Sequence, residues 1–229
     1  ELLPKDDIPA KGSCLTVNDR QILASSEFYT ASMDLASGKG EIACPLEHMA
    51  GSVTNFIKIL YSHLILEQGG ILLHAAGVVR DNMAHIFFGP SGSGKSTITD
   101  LSKDCDILSD ELVAVIKDGD CFKACGMPDW KYGSPARSQV RGPYPISGLY
   151  SLIQDSRTYL TRISPTSAAA EVFTRPAFLD SIYKNDKLLN SCTQLTRQVP
   201  CYQLHFTPDS SLWECIKGLN EPENLQKIN

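Results

Sequence analysis

The sequence contains no apolar run as long as the roughly 18 residues that a membrane-spanning helix requires. It also lacks a run of lysines or arginines, and its net charge of −5 disfavours a general nucleic-acid binder. No Cys-x-x-Cys pair occurs among the eight cysteines, so their scattered spacing indicates neither a zinc site nor a disulfide framework. We therefore expect no membrane and no nucleic-acid partner, and we expect the thiols to be reduced.

The remaining composition is that of a protein with an ordinary core, since 42% of the 229 residues are hydrophobic and 21% are charged. Strand-like segments between turns occupy residues 1–45, which predicts a small β-rich lead-in packed on the core. Residues 46–67 have apolar positions at helical spacing, and two apolar runs around residues 80–82 are typical of a hairpin. Later helices are predicted over residues 167–173, opened by Ser164-Pro165-Thr166, and over residues 176–190 and 211–219.

These patterns predict an α/β fold with a mixed central sheet and flanking helices. We expect residues 46–229 to form one compact domain. The chain length suits one domain with a small appendage.

Residues 89–96 read Gly-Pro-Ser-Gly-Ser-Gly-Lys-Ser, which fits the phosphate-binding loop pattern. Glycines let the backbone turn sharply and approach a polyphosphate, while the loop amides form a nest for the anion. A chance match in a Gly/Ser linker is less favoured, because a strand is predicted before the loop and a helix after it. The predicted nucleotide contacts are Gly89, Ser91, Gly92, Ser93, Gly94, Lys95, Ser96 and Thr97.

Two side chains of this loop carry specific expectations. Lys95 can reach the β- and γ-phosphates of ATP, and the Ser96 hydroxyl can help hold Mg²⁺, with Mn²⁺ as an alternative ion. We expect the Lys95 side chain to be exposed until a nucleotide binds. Because a nucleotide site indicates the cytosol, we predict a cytoplasmic protein.

A second group of polar residues flanks the loop in the sequence. Asp110 and Glu111 follow a predicted strand soon after the loop, and His74 lies on the first strand of the predicted hairpin. A transport ATPase of the ABC type would instead need a Leu-Ser-Gly-Gly-Gln signature and a distant Walker B strand. Neither is present, which excludes that class.

Together these positions resemble the catalytic domain of HPr kinase/phosphorylase, a family related in fold to phosphoenolpyruvate carboxykinase. The residues that carry the resemblance are Leu72-Leu73-His74-Ala75-Ala76-Gly77-Val78-Val79, Phe87-Phe88-Gly89-Pro90-Ser91-Gly92-Ser93-Gly94-Lys95-Ser96-Thr97 and Leu108-Ser109-Asp110-Glu111. The match is good over residues 70–120 and weaker elsewhere. Short relatives of this family are often encoded with peptide-modification enzymes.

The resemblance implies roles for individual residues. Asp110 would accept the proton of the attacking hydroxyl, bind the metal, or both, and His74 would lie near the γ-phosphate or the metal. Glu111 replaces the second Asp of the family's pair and is a candidate metal ligand with Ser96 and Asp110. The family's Gly-Leu-Gly-Ile stretch is not reproduced, which leaves the reverse phosphorylase reaction open.

The irregular stretch after residue 126 contains two arginines, Arg137 and Arg141, which either clamp a phosphate or remain in water.

We therefore predict an ATP- and Mg²⁺-dependent kinase that phosphorylates a serine hydroxyl on a peptide or small protein. The catalytic residues would be Asp110, His74 and Lys95. A kinase of a free small molecule, such as an amino acid, and a non-catalytic nucleotide-binding scaffold stay open as alternatives. Assembly into a homo-oligomer also stays open.

Overall fold

The computed structural model describes residues 14–127, 140–177, 186–209 and 211–218. The strands are β1 (Cys14–Val17), β2 (Gln21–Ser26), β3 (Tyr29–Asp34), β4 (Lys39–Ala43), β5 (Ile71–Arg80), β6 (Met83–Phe88), β7 (Asp106–Ser109), β8 (Leu112–Asp118), β9 (Cys121–Gly126), β10 (Tyr144–Gln154), β11 (Tyr159–Arg162) and β12 (Cys201–Phe206). The helices are α1 (Met49–Glu67), α2 (Lys95–Leu101), α3 (Pro165–Phe173), α4 (Asp186–Gln198) and α5 (Ser211–Lys217), and a 3₁₀ turn at Leu46–His48 precedes α1. In the described ranges, every helix is too short or too polar to cross a bilayer.

The chain divides into two compact units, and the division falls within α1. Of the described residues, 14–64 belong to the first unit and the remainder belong to the second. The sequence instead predicts a boundary at residue 45, at the end of the strand-like segments.

The first unit is an antiparallel sheet of four strands in the order β1-β2-β3-β4, together with most of α1. Alternate residues of its strands, such as Ile22 and Ala31, are buried against Phe56 and Ile59 of α1. Because side chains alternate between the two faces of a strand, this packing covers one face of the sheet.

The second unit contains a mixed sheet of eight strands, which confirms the predicted α/β class. Seven of them follow the order β11-β12-β10-β6-β5-β8-β9, and β7 pairs with β5 beside this path. β10 is parallel to both β6 and β12, and the other pairings are antiparallel. The predicted hairpin is β5–β6, and its turn residues Asp81 and Asn82 have positive φ angles, as a tight hairpin turn requires.

Of the predicted helix over residues 176–190, the last five residues are confirmed, since they belong to α4 (Asp186–Gln198), and residues 178–185 lie outside the described residues. Its predicted start is wrong, because Pro176 forms an isolated antiparallel bridge with Leu73 of β5. Leu188, Cys192 and Leu195 of α4 are buried, which is one apolar face at helical spacing. Pro200 explains the end of α4 just before it, because proline disfavours the helical conformation in the preceding residue.

All eight cysteines are free thiols in the structure. The cytoplasmic location stays a prediction.

A polar cluster lies within the apolar core of the second unit. Nδ1 of His85 is 3.2 Å from the Tyr150 hydroxyl, and the rings of His85 and Trp213 are nearly perpendicular with their centres 5.2 Å apart. The Arg80 guanidinium lies 4.9 Å from the centre of the Trp213 ring, whose indole N–H donates to Ser102 Oγ at 3.1 Å. Burial, and to a lesser extent the charge of Arg80, lower the pKa of His85 to about 4.

His85 should therefore make the protein sensitive to acid. The unfolded chain binds a proton near the ordinary pKa of 6.5, whereas the folded protein binds it only near 4. The contribution of neutral His85 to the free energy of unfolding is fully present above pH 6.5. It is lost as the pH falls towards 4, by up to about 1.4 kcal/mol per pH unit. Urea unfolding of the wild type and His85→Gln across this pH range measures the effect. Stability curves that run parallel for the two proteins would contradict it.

Candidate phosphate-binding site

The segment of residues 89–94, called here the glycine loop, connects β6 to α2. Gly92 and Gly94 have φ angles of 78° and 106°, which side chains other than glycine rarely adopt. A Cβ on Gly94 would also lie 2.5 Å from the Phe206 ring. The loop is further fixed by Gln154, whose side-chain amide donates to the Gly92 carbonyl at 2.9 Å. Its backbone conformation therefore depends on glycine and on contacts with β10 and β12.

Lys95 is the first residue of α2, and its side chain is buried rather than exposed, with a residue exposure of 8%. Its ammonium donates to the carbonyls of Gly89 and Pro90, each at 3.1 Å. The expectation of an exposed lysine is wrong because the loop folds back over the amine and offers it two acceptors. Burial lowers the pKa of Lys95, and the nearby positive charge of Arg175 lowers it further.

The loop also contains a buried hydroxyl without a hydrogen-bond partner, that of Ser93. Such atoms are rare, because leaving a buried polar group unpaired costs about 1–3 kcal/mol. Ser91 and Ser96 are exposed, and Thr97 is half-buried. The loop therefore combines a buried cation, an unsatisfied hydroxyl and exposed hydroxyls within a few residues.

β5 brings the other predicted residues to the level of this loop. One edge of β5 pairs with β6, whose last residue, Phe88, lies opposite Ala75. On the other edge, Gly77 pairs with Ser109 and His74 pairs with Leu112. His74 is exposed, whereas the rest of β5 up to Val79 is buried. The face of the sheet is therefore open to solvent at His74, beside the start of the glycine loop, and this opening is called here the gap at His74.

Asp110 and Glu111 form a bend between β7 and β8. The pairs on either side of the bend have the same register, so Asp110 is level with Ala76 and Glu111 with Ala75. Two contacts fix the bend: the Ala75 N–H donates to the Glu111 carbonyl at 3.1 Å, and Ser109 Oγ accepts from the N–H groups of Glu111 and Leu112. Both acidic residues are half-buried.

Of the two arginines predicted to clamp a phosphate, only Arg141 is among the described residues, and Arg137 lies outside them. Arg141 is exposed, and its carbonyl accepts from the Gly126 N–H at the end of β9 at 2.9 Å. Arg141 thus lies beside the end of β9, and the N–H of its neighbour Val140 donates to the Ile107 carbonyl of β7 at 3.1 Å.

Sequence reasoning missed Arg175, which follows α3. Its carbonyl accepts from the His74 N–H at 3.0 Å, and Leu73 forms a bridge with Pro176, the next residue. The one sequence signal was the Arg-Pro pair after an amphipathic helix, since proline favours an extended conformation in the residue before it. That signal indicates the end of a helix, but not the strand edge on which Arg175 comes to lie.

A groove of about 750 Å³ lies in the first unit, on the sheet face that bears Thr16, Leu23 and Ser32. Glu41 is the only charged residue among those that line it, and no cation is present there. The groove is therefore unsuited to a phosphate.

Comparison with known proteins gives one family match. No curated protein matches the sequence. Among solved structures, the HPr(Ser) kinase/phosphatase from Coxiella burnetii is similar at a TM-score of 0.37 and 13% sequence identity, over 68% of this chain and 92% of that chain. A TM-score at this level carries no argument about function. The model of the family described as SynChlorMet cassette protein ScmC matches residues 45–220, which is more than half of the chain, and the protein therefore belongs to this family.

Proposed function

We propose that this protein is an ATP- and Mg²⁺-dependent kinase that transfers the γ-phosphate to a serine hydroxyl on a peptide or small protein. The observation that carries the proposal is the glycine loop together with the first residue of α2, where the unpartnered, buried Ser93 hydroxyl and the buried Lys95 ammonium lie two residues apart. Both groups are donors, so a phosphate would give the Ser93 hydroxyl the acceptor it lacks and the Lys95 ammonium a charged acceptor.

Binding of the nucleotide would rest on Lys95 and the loop. The Lys95 ammonium would exchange its two carbonyl acceptors for oxygens of the β- and γ-phosphates. The Ser93 hydroxyl would gain an acceptor, and the backbone amides of the loop would contact the same anion. Ser91 is exposed and would be a further contact.

The residues present also fit a magnesium ion. Ser96 has an exposed hydroxyl, and Asp110 lies at the bend beside β5. In the described ranges, no three His, Cys, Asp or Glu side chains form a metal site on their own. Mg²⁺ commonly binds to kinases through one or two protein ligands, the phosphates and water. The bound ion would neutralise charge on the phosphates, and Glu111 stays a further candidate ligand.

Asp110 and His74 would act on the acceptor. Phosphoryl transfer depends mainly on positioning and charge stabilisation. A carboxylate that accepts the proton of the hydroxyl adds roughly 10²–10⁴-fold. The gap at His74 lies at the level where the glycine loop begins and two residues along β5 from the level of Asp110, which supports entry of the acceptor there.

Two other functions use the same residues differently. A kinase of a free amino acid would need the same loop and Asp110 with a smaller acceptor. A scaffold would need the loop but not Asp110. The gene neighbourhood would distinguish the acceptors, because a precursor-peptide gene beside this one would favour the peptide.

The first prediction concerns nucleotide binding. Lys95→Met keeps most of the buried side-chain volume and removes the ammonium, so the fold should survive. Loss of a charged contact to phosphate should weaken Mg-ATP binding by roughly tenfold to hundredfold. Calorimetric titration measures this. Lys103→Met, at an exposed position just beyond α2, serves as the control. Unchanged affinity of Lys95→Met would remove the basis of the loop assignment.

The second prediction concerns turnover. Asp110→Asn keeps the shape of the side chain and removes its charge, so phosphate transfer should slow by about two to four orders of magnitude while ATP binding changes little. If Asp110 also binds the metal, the Mg²⁺ dependence of the rate should shift as well. The assay follows labelled γ-phosphate into a serine-containing peptide encoded beside this gene.

Three comparisons make this assay decisive. A Ser→Ala peptide should accept no label, and the exposed Asp104→Asn should react like the wild type. Glu111→Gln should have a smaller effect than Asp110→Asn. An Asp110→Asn protein as fast as the wild type would show that the catalytic centre lies elsewhere. A wild type that binds ATP but labels no peptide, protein or amino acid would support the scaffold.

A further inference from the structure

We propose that Arg175 is a phosphate-binding residue, which contacts the γ-phosphate of the bound nucleoside triphosphate together with Lys95. The inference rests on the proposed function and adds to it a contact that distinguishes ATP from ADP. Three observations support it: the backbone contacts of Arg175, the presence of a second cation, Lys95, and the position of Arg175 relative to His74.

The backbone places Arg175 at the point where the glycine loop leaves the sheet. β6 covers one edge of β5 as far as Ala75, which lies opposite Phe88. Beyond that point the same edge is covered by residues 175–177. The His74 N–H donates to the Arg175 carbonyl at 3.0 Å, Leu73 bridges Pro176, and the Ala177 N–H donates to the Leu72 carbonyl at 2.9 Å. Arg175 therefore takes the edge position next to Phe88, which Gly89 would occupy if β6 continued.

The register also relates Arg175 to His74. The bridge between Leu73 and Pro176 makes Arg175 the neighbour of His74 across the strand pair. Residues directly opposite each other in an antiparallel pair project from the same face of the sheet. His74 is exposed on that face, and Arg175 is half-buried. The Arg175 side chain thus borders the gap in which we propose that the γ-phosphate is transferred.

The charge around Arg175 indicates an anion. Arg175 is a cation, and it occupies the strand-edge position at which the glycine loop turns away towards Lys95, a second cation. Within the described ranges no Asp or Glu forms an ion pair with Arg175. Two cations held near each other repel, and a polyphosphate between them would remove that repulsion. A guanidinium suits this role, since its planar donors match the geometry of phosphate oxygens.

The position favours the γ-phosphate over the others. Lys95 lies at the start of α2, directly after the loop. Arg175 lies beside His74, which belongs to β5, and β5 also borders the bend at Asp110. A nucleotide held by the loop would bring its last phosphate towards these residues. Removal of Arg175 should therefore affect ATP, which has this phosphate, and spare ADP, which lacks it.

The test compares Arg175→Met, Arg175→Lys and Lys95→Met by calorimetric titration with Mg-ATP and Mg-ADP. The backbone contacts of residue 175 use its carbonyl, so these substitutions should leave the fold intact, which circular dichroism checks. We expect Arg175→Met to weaken ATP binding by roughly tenfold or more, with ADP affinity unchanged. Arg175→Lys should lie between, because lysine keeps the charge but not the forked donors. Lys95→Met should weaken both nucleotides. Arg197→Met, at an exposed position of α4, controls for the loss of one positive charge.

The outcomes separate this inference from the proposed function. If Arg175→Met binds ATP like the wild type while Lys95→Met does not, Arg175 is not a phosphate contact and the nucleotide site still stands. Equal weakening of ATP and ADP by Arg175→Met would overturn the assignment to the γ-phosphate. A folded wild type that binds neither nucleotide would overturn both proposals.

Discussion

The candidate site depends on one constraint, the division of both edges of β5 between different segments of the chain. β6 and residues 175–177 share one edge, and β7 and β8 share the other. Where one segment stops pairing with β5 and the next begins, a short stretch of backbone lies outside regular strand pairing. The glycine loop leaves at one of these points and the Asp110 bend forms at the other. Because backbone hydrogen bonds to a single buried strand fix both points, the polar residues that follow them are held at one level.

Much of this arrangement could be predicted from the sequence, because its signals are local. The alternating and continuous apolar runs gave the hairpin of β5 and β6, and the glycines with Lys95 gave the loop and the helix after it. The mixed sheet followed from strands interspersed with helices. The spacing of His74 and Asp110 from the loop predicted that they lie near it, and the register agrees.

The features that could not be predicted from the sequence depend on contacts between segments that are distant in the chain. Arg175 reaches β5 through a backbone bridge that no periodicity encodes, and the same bridge explains why no helix begins at Pro176. The burial of Lys95 results from carbonyls of its own loop, whose direction is set by the φ angles of two glycines and by Gln154 from β10. Patterns of residue type indicate which atoms are present, but not how a loop closes over them.

The two carbonyls that accept from Lys95 have a consequence for the occupation of the site. The amine is already withdrawn from water and held by Gly89 and Pro90, so a phosphate would replace protein oxygens rather than a hydration shell. The entropic cost of ordering this long side chain falls on folding instead of on association, which is a form of preorganisation. The two released carbonyls must then find new donors or water. A change of hydrogen-bond partners at the loop would therefore accompany occupation of the site.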